Sequence, residues 1–148
     1  MGTGAGKGLN FENTNGSQQS HADYISKELP KSSPIKIPPM ATVKEETKNG
    51  YDQVKYTWKH GDFTYTSRWH TKTPNAPKSQ GNSWVVERRK PGIGYGKNAS
   101  HKQEEVLVGK NKWISKQEWK NAIIARKNGT LTQQQKEWLD NGHWKDKR

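Results

Sequence analysis

The apolar surface of this chain is concentrated in a few large rings. Seven Trp and five Tyr occur among 148 residues of which only 28% are hydrophobic, and the mean hydropathy is −1.26. A chain this polar ordinarily cannot bury enough surface to offset the entropy of ordering itself. Aromatic side chains change that, because each removes ~150–250 Å² from water. A small aromatic core is therefore expected from about Tyr51 onward, in one domain's worth of sequence. There is no Cys, so disulfides, thiolate zinc sites and thiol catalysis are excluded. Met1–Gly8 is Gly-rich without an apolar h-region, so export is expected to depend on another segment or chain.

Charge is as uneven as hydrophobicity. The net formal charge is +12; residues 1–50 hold six Lys against five carboxylates, whereas residues 51–148 hold twenty cations against nine. The densest stretch, Phe63 to Gln103, sets Arg68, Lys72, Lys78, Arg88, Arg89, Lys90, Lys97 and Lys102 against Glu87 alone, a net +7. Such a field can simply keep a protein soluble, but the local lack of acids points to an anionic partner. A membrane surface is the poorer partner, because no apolar run of spanning length exists and no basic amphipathic helix coincides with the charge. A polynucleotide fits better, with Trp69, Trp84 and Trp113 as candidate stacking rings. Core packing is the ordinary role for most of the seven Trp.

Along the chain, Met1–Asn10 reads as linker, and Gly16–Glu28 as a short helix with Ser17 as N-cap, Ala22, Tyr24, Ile25 and Leu29 as its apolar positions and Pro30 as its stop. Lys31–Met40, with Pro34, Pro38 and Pro39, reads as an extended connector lying over the domain. Residues 1–40 are thus linker, helix and connector, and 41–148 the basic domain. The period then becomes two. Val54, Tyr56 and Trp58, a Lys59–Asp62 turn, and Phe63, Tyr65, Ser67 and Trp69 predict a β-hairpin. Ser83–Arg89 and Glu104–Val108 read as further strands, joined through a basic loop containing Pro91–Lys97. Capping boxes at Ser115–Glu118 and Thr132–Gln135 predict two helices, ending near Asn128-Gly129 and Asn141-Gly142. The expected class is α+β, with about four mostly antiparallel strands, an N-terminal helix and two C-terminal helices.

The chemistry centres on Ser67-Arg68-Trp69-His70-Thr71-Lys72-Thr73. Cleaving RNA without a metal needs a base for the 2′-hydroxyl, an acid for the leaving 5′-oxygen and cations for the phosphate. Imidazole suits the proton transfers and Arg or Lys the charge. Alternation places Arg68 and His70 on one strand face, expected to be the accessible one. His70 is then the candidate base or acid, Arg68 with Arg88 or Lys72 the clamps, and Thr71 and Thr73 hydroxyls for phosphate oxygens. Arg89, Lys90, Lys97 and His101 are the further nucleic-acid-binding candidates, His101 also being a candidate second proton carrier. His143 follows a helix C-terminus whose carbonyls favour a cation, so capping accounts for it. His21 and His60 carry no functional expectation.

Other signals are weak. Gly92–Lys97 lacks the strand, helix and Lys-Ser/Thr of a phosphate loop. Glu46-Thr47-Lys48 has the Glu-x-Lys spacing of metal-dependent DNA-cutting folds but no accompanying Asp strand, and no cofactor or metal is expected.

Ser67–Pro77, Gln80–Val86 and Asn141-Gly142-His143-Trp144 together resemble the C-terminal toxin domains of bacterial polymorphic toxins, particularly those of LXG-type proteins. The resemblance covers roughly the last hundred residues. It implies a nuclease carried by a longer secreted parent, acting in the target-cell cytoplasm and neutralised by an acidic immunity protein. Many such ribonucleases belong to the barnase, EndoU and RelE group, a small sheet flanked by helices that works without metal. RNA is the favoured substrate, tRNA or rRNA; a metal-dependent DNase and a non-catalytic nucleic-acid-binding module are the alternatives.

Overall fold

A computed structural model describes residues 21–74, 76–92 and 102–146. The expected hairpin is present: β2 (Tyr51–His60) and β3 (Phe63–His70) pair through a two-residue turn at Gly61 and Asp62. Gly61, at φ +63°, supplies the left-handed backbone such a tight connection needs. β4 (Ser83–Lys90) and β5 (Gln103–Leu107) follow as expected. Three strands were not foreseen: β1 (Thr42–Lys48), β6 (Trp113–Ser115) and β7 (Trp144–Lys145). The sheet therefore has seven strands, in the order β1-β2-β3-β4-β5-β6 with β7 beside β4. Every pairing is antiparallel. β1 escaped notice because it is an edge strand of Thr, Lys and Glu with no apolar alternation, and β6 and β7 are too short to show a period.

Side-chain alternation gives the sheet two faces and two cores. On one face, Val54, Tyr56, Trp58, Trp69 and Trp84 pack against Tyr24, Ile25 and Leu29. These last residues come from a helical segment wound successively as α1 (His21–Asp23), a π-turn (Tyr24–Glu28) and a 3₁₀-turn (Leu29–Ser32). Pro30 does not stop it. A Pro in the first turn of a helix forfeits no hydrogen bond, and here the chain tightens into the 3₁₀-turn instead. Ala22 is exposed rather than on the apolar face, and the Ser17 cap lies outside the described residues. Ile35, Ile37 and Ala41 of the connector lie against the same core. Polar anchors orient the rings: Trp84 Nε1–H donates to Ser32 Oγ at 3.0 Å, and Trp69 Nε1–H to Asp146 Oδ2 at 2.8 Å.

On the other face, Val85, Val106, Val108 and Ile114 meet Trp119, Ala122 and Leu139 of α2 (Lys116–Asn128) and α3 (Gln133–Gly142). Both helices start at the expected capping boxes, with Ser115 and Thr132 as N-caps. α2 ends on Gly129 in the left-handed conformation, φ +73°. The helices sit over β4, β5 and β6. Arg68 and His70 point to this same face from β3, beside the helices' edge.

Candidate active site

Cross-strand register brings Gln53, His70 and Ser83 into one row and Lys55, Arg68 and Val85 into the next. Arg68 and His70 share a face, as expected. That face is not open at His70, whose imidazole is 4% exposed. The reason is tertiary. The chain leaves α3, turns at His143 and returns as β7, where Trp144 pairs with Trp84 and Lys145 with Ser83. This lays His143 edge-on to His70, with ring centroids 6.0 Å apart at 89°. Tyr51 closes another side at 6.1 Å, and Trp119 supports the His143 ring at 5.0 Å.

The tautomers follow from the hydrogen bonds. His70 Nδ1 lies 2.9 Å from the Thr71 carbonyl and His143 Nδ1 lies 2.7 Å from the Leu139 carbonyl. A carbonyl only accepts, so each Nδ1 carries the proton and each Nε2 keeps its lone pair, the form of a general base. Burial lowers both pKa values to about 4; the carbonyl bonds act the other way, and the charges of Arg68 and Arg126 add to the depression. Both rings are neutral at pH 7. His143 does cap α3, but as a neutral N–H donor rather than as the cation expected.

His143 also lines a cavity of about 590 Å³ together with Gln80, Arg126, Leu139 and Asp140. Arg126 Nη1–H donates to Gln80 Oε1 at 3.1 Å. Three buried side-chain atoms have no hydrogen-bond partner: Gln80 Nε2, Arg126 Nε and Ser83 Oγ. Ser83 is the cross-strand neighbour of His70, so all three cluster around the imidazole pair. Lys136, tied to Asp140 at 2.9 Å, and Lys145 stand at the cavity wall.

The remaining expected residues disperse. Arg68 pairs with Glu87 at 2.9 Å, and Lys116 approaches the same carboxylate at 3.3 Å. Burial works to raise the Glu87 pKa, but the two cations prevail and hold it below the usual range. Thr71 is a clasp between strand ends: its Oγ1 accepts from the Asp52 N–H at 2.9 Å and its own N–H donates to the Asp52 carbonyl at 3.0 Å. Lys72 Nζ donates to the Thr73 carbonyl at 3.1 Å. Arg88 cannot join Arg68 as a clamp, because alternation puts it on the opposite face. There its guanidinium lies 4.4 Å from the Phe63 ring centroid and 4.1 Å from that of Trp113, with Nε–H donating to Glu105 at 2.7 Å. Lys90 shares that face, 5.9 Å from the Phe63 centroid. Arg89 is exposed on a separate cavity of about 440 Å³ with Lys59 and Lys102. Lys97 and His101 lie outside the described residues. Trp69 and Trp84 are fully buried and cannot stack bases. The cationic run is thus split between two faces of the sheet instead of lining one groove. Among the described residues, no three His, Asp or Glu come together as a metal-ligand set.

Sequence reasoning missed Gln80, Ser83 and Arg126 and gave His143 only its capping role. A signal existed for three of them. Gln80 and Ser83 fall in Gln80–Val86, and His143 falls in Asn141–Trp144, two of the three stretches on which the family resemblance rests. All three stretches meet at this site, through Ser83 opposite His70 and Trp144 opposite Trp84. Arg126 sits in an ordinary helical sequence and carried no signal. Comparison of the chain with family models, with curated proteins and with solved structures found no match.

Proposed function

We propose that this chain is an endoribonuclease domain that cleaves without a metal. The observation that carries the reading is His143: a neutral imidazole in the base tautomer, lining a cavity beside the Arg126 guanidinium. In this scheme His143 Nε2 takes the proton of a ribose 2′-hydroxyl, whose oxygen attacks the adjacent phosphorus. The bond from phosphorus to the 5′-oxygen breaks and the imidazolium returns its proton to that oxygen, leaving a 2′,3′-cyclic phosphate and a 5′-hydroxyl. Arg126 stabilises the charge on phosphorus. A phosphate anion beside the ring also raises the imidazole pKa from its depressed value, which equips it to donate the proton back. His70 stands behind His143 as a positioning residue.

The surplus of cations after residue 50 and the convergence of the three resemblance stretches on one site support a toxin of the polymorphic class. The corresponding expectations are a barnase, EndoU or RelE type of fold, delivery within a larger secreted protein to a target-cell cytoplasm, tRNA or rRNA as substrate, and an acidic immunity protein. No helix among the described residues is long and apolar enough to cross a membrane.

The test is incubation of purified protein with total RNA and plasmid DNA, with and without EDTA. RNA cleavage that survives chelation and falls ~10²–10⁴-fold in His143→Ala is the expected result. Chelator-sensitive DNA cutting would replace the proposal with a metal-dependent DNase. One observation favours a second reading, a binding module without catalysis: the two imidazoles are only 4% and 8% exposed. In that case folded protein cleaves neither polymer, His143→Ala changes no activity, and Arg126→Ala weakens binding and flattens its salt dependence.

A further inference from the structure

We infer that Gln80 and Arg126 form a cradle for one phosphate group, a phosphodiester or the 3′-phosphate of a cleaved strand, in the cavity that His143 lines. The inference rests on that cavity being the reactive site proposed above and names the group it grips.

The argument is a hydrogen-bond account. Gln80 is 8% exposed, and its one acceptor atom, Oε1, receives the Arg126 Nη1–H at 3.1 Å. This bond fixes which way the amide faces, since a guanidinium has no lone pair to offer the NH₂ end. Gln80 Nε2 is then a pure donor, and it has no acceptor; Arg126 Nε is in the same position. A buried donor without a partner costs ~1–3 kcal/mol, and two adjacent ones define a complementary group rich in acceptors. The charge defines its sign. Arg126 bonds a neutral amide, and the nearest carboxylate, Asp140, is bonded to Lys136 at 2.9 Å. A phosphate offers several oxygens within one tetrahedral group and brings the negative charge. Planar donors such as a guanidinium edge and an amide NH₂ suit two of those oxygens at once. Lys136 and Lys145 at the wall draw anions toward the opening. His143, on the same wall, then meets the ribose attached to the bound phosphate.

The experiment titrates inorganic phosphate and uridine 3′-monophosphate into the protein, following the Gln80 side-chain amide, the Arg126 Nε–H and the His143 ring by NMR. All three signals are expected to move together and saturably, and the His143 ring to titrate at higher pH once phosphate is bound. Gln80→Glu keeps the shape and the bond from Arg126 but turns the orphan donor into an acceptor; it should weaken affinity at least 10-fold. Arg126→Lys keeps the charge but removes Nε–H and should do the same, and it serves if Gln80→Glu does not fold. Equal affinity in a folded variant and the wild type, or no movement of these signals, overturns the cradle. RNA cleavage without phosphate binding here would sink the cradle and leave the nuclease standing. Phosphate binding without cleavage would do the reverse.

Discussion

A buried imidazole that gives its only N–H to a main-chain carbonyl is committed to staying neutral, and this chain has two, one behind the other. Their pKa values of about 4 lie below the ~6.5 of an unfolded His. Between those values the unfolded chain binds protons that the native one refuses, so stability rises with pH across that interval. It is fully present above about pH 6.5 and is lost as pH falls through 4, by about 3 kcal/mol for each ring. Chemical denaturation at pH 7.5 and at pH 5 should show the loss, and His143→Gln should remove about half of it. A pH-independent midpoint would mean that the rings are solvated. Arg88 offers a contrast at the same scale. It lies between Phe63 and Trp113 on the other face, so Arg88→Ala should lower stability by ~1–2 kcal/mol and leave RNA cleavage within twofold of wild type. A large activity loss in a folded Arg88→Ala protein would show that the opposite face belongs to the site. Arg68 and His70 were legible because alternation along a strand is local; that His143 would cover them was not.

At the scale of elements, the C-terminal helices were the most readable part of the chain. Reciprocal hydrogen bonds at Ser115–Glu118 and Thr132–Gln135 announce each start without reference to anything distant. Ser115→Ala should therefore cost ~1 kcal/mol, read as a lower denaturation midpoint at unchanged slope. The end of α3 is a different matter. A Cβ on Gly142 would come within 2.5 Å of Trp119 Cζ3 and 3.1 Å of Val108 Cγ1, so a Gly that reads as a helix stop is also a packing requirement. Gly142→Ala should cost ~1–3 kcal/mol and, by pushing α3 off the sheet, displace His143 and reduce activity as well. Loss of stability with activity intact would show that His143 is held independently of that contact. β1 marks the opposite limit of legibility. Its Lys, Glu and Thr side chains are mostly exposed, and only the backbone pairing offered by β2 makes it a strand.

For the molecule as a whole, one sheet serves two cores, and β4 belongs to both: Trp84 faces the N-terminal segment while Val85 faces the C-terminal helices. Leu29 is wholly buried in the first core. Leu29→Ala should cost ~2–5 kcal/mol and lower the stability seen from either core, with ring signals of Trp84 and Trp119 melting together. Separate transitions would mean that the two layers fold independently. The α+β class, the central hairpin, both capped helices and the basic, aromatic character could be read from the residues, because periodicity, caps and charge are properties of neighbours along the chain. The return of the chain as β7 beside β4 was not written in any local pattern, since a two-residue strand exists only through its partner. That single tertiary pairing carries His143 to His70, turns an expected open strand face into a buried imidazole pair, and gathers Gln80, Ser83 and Arg126 around it.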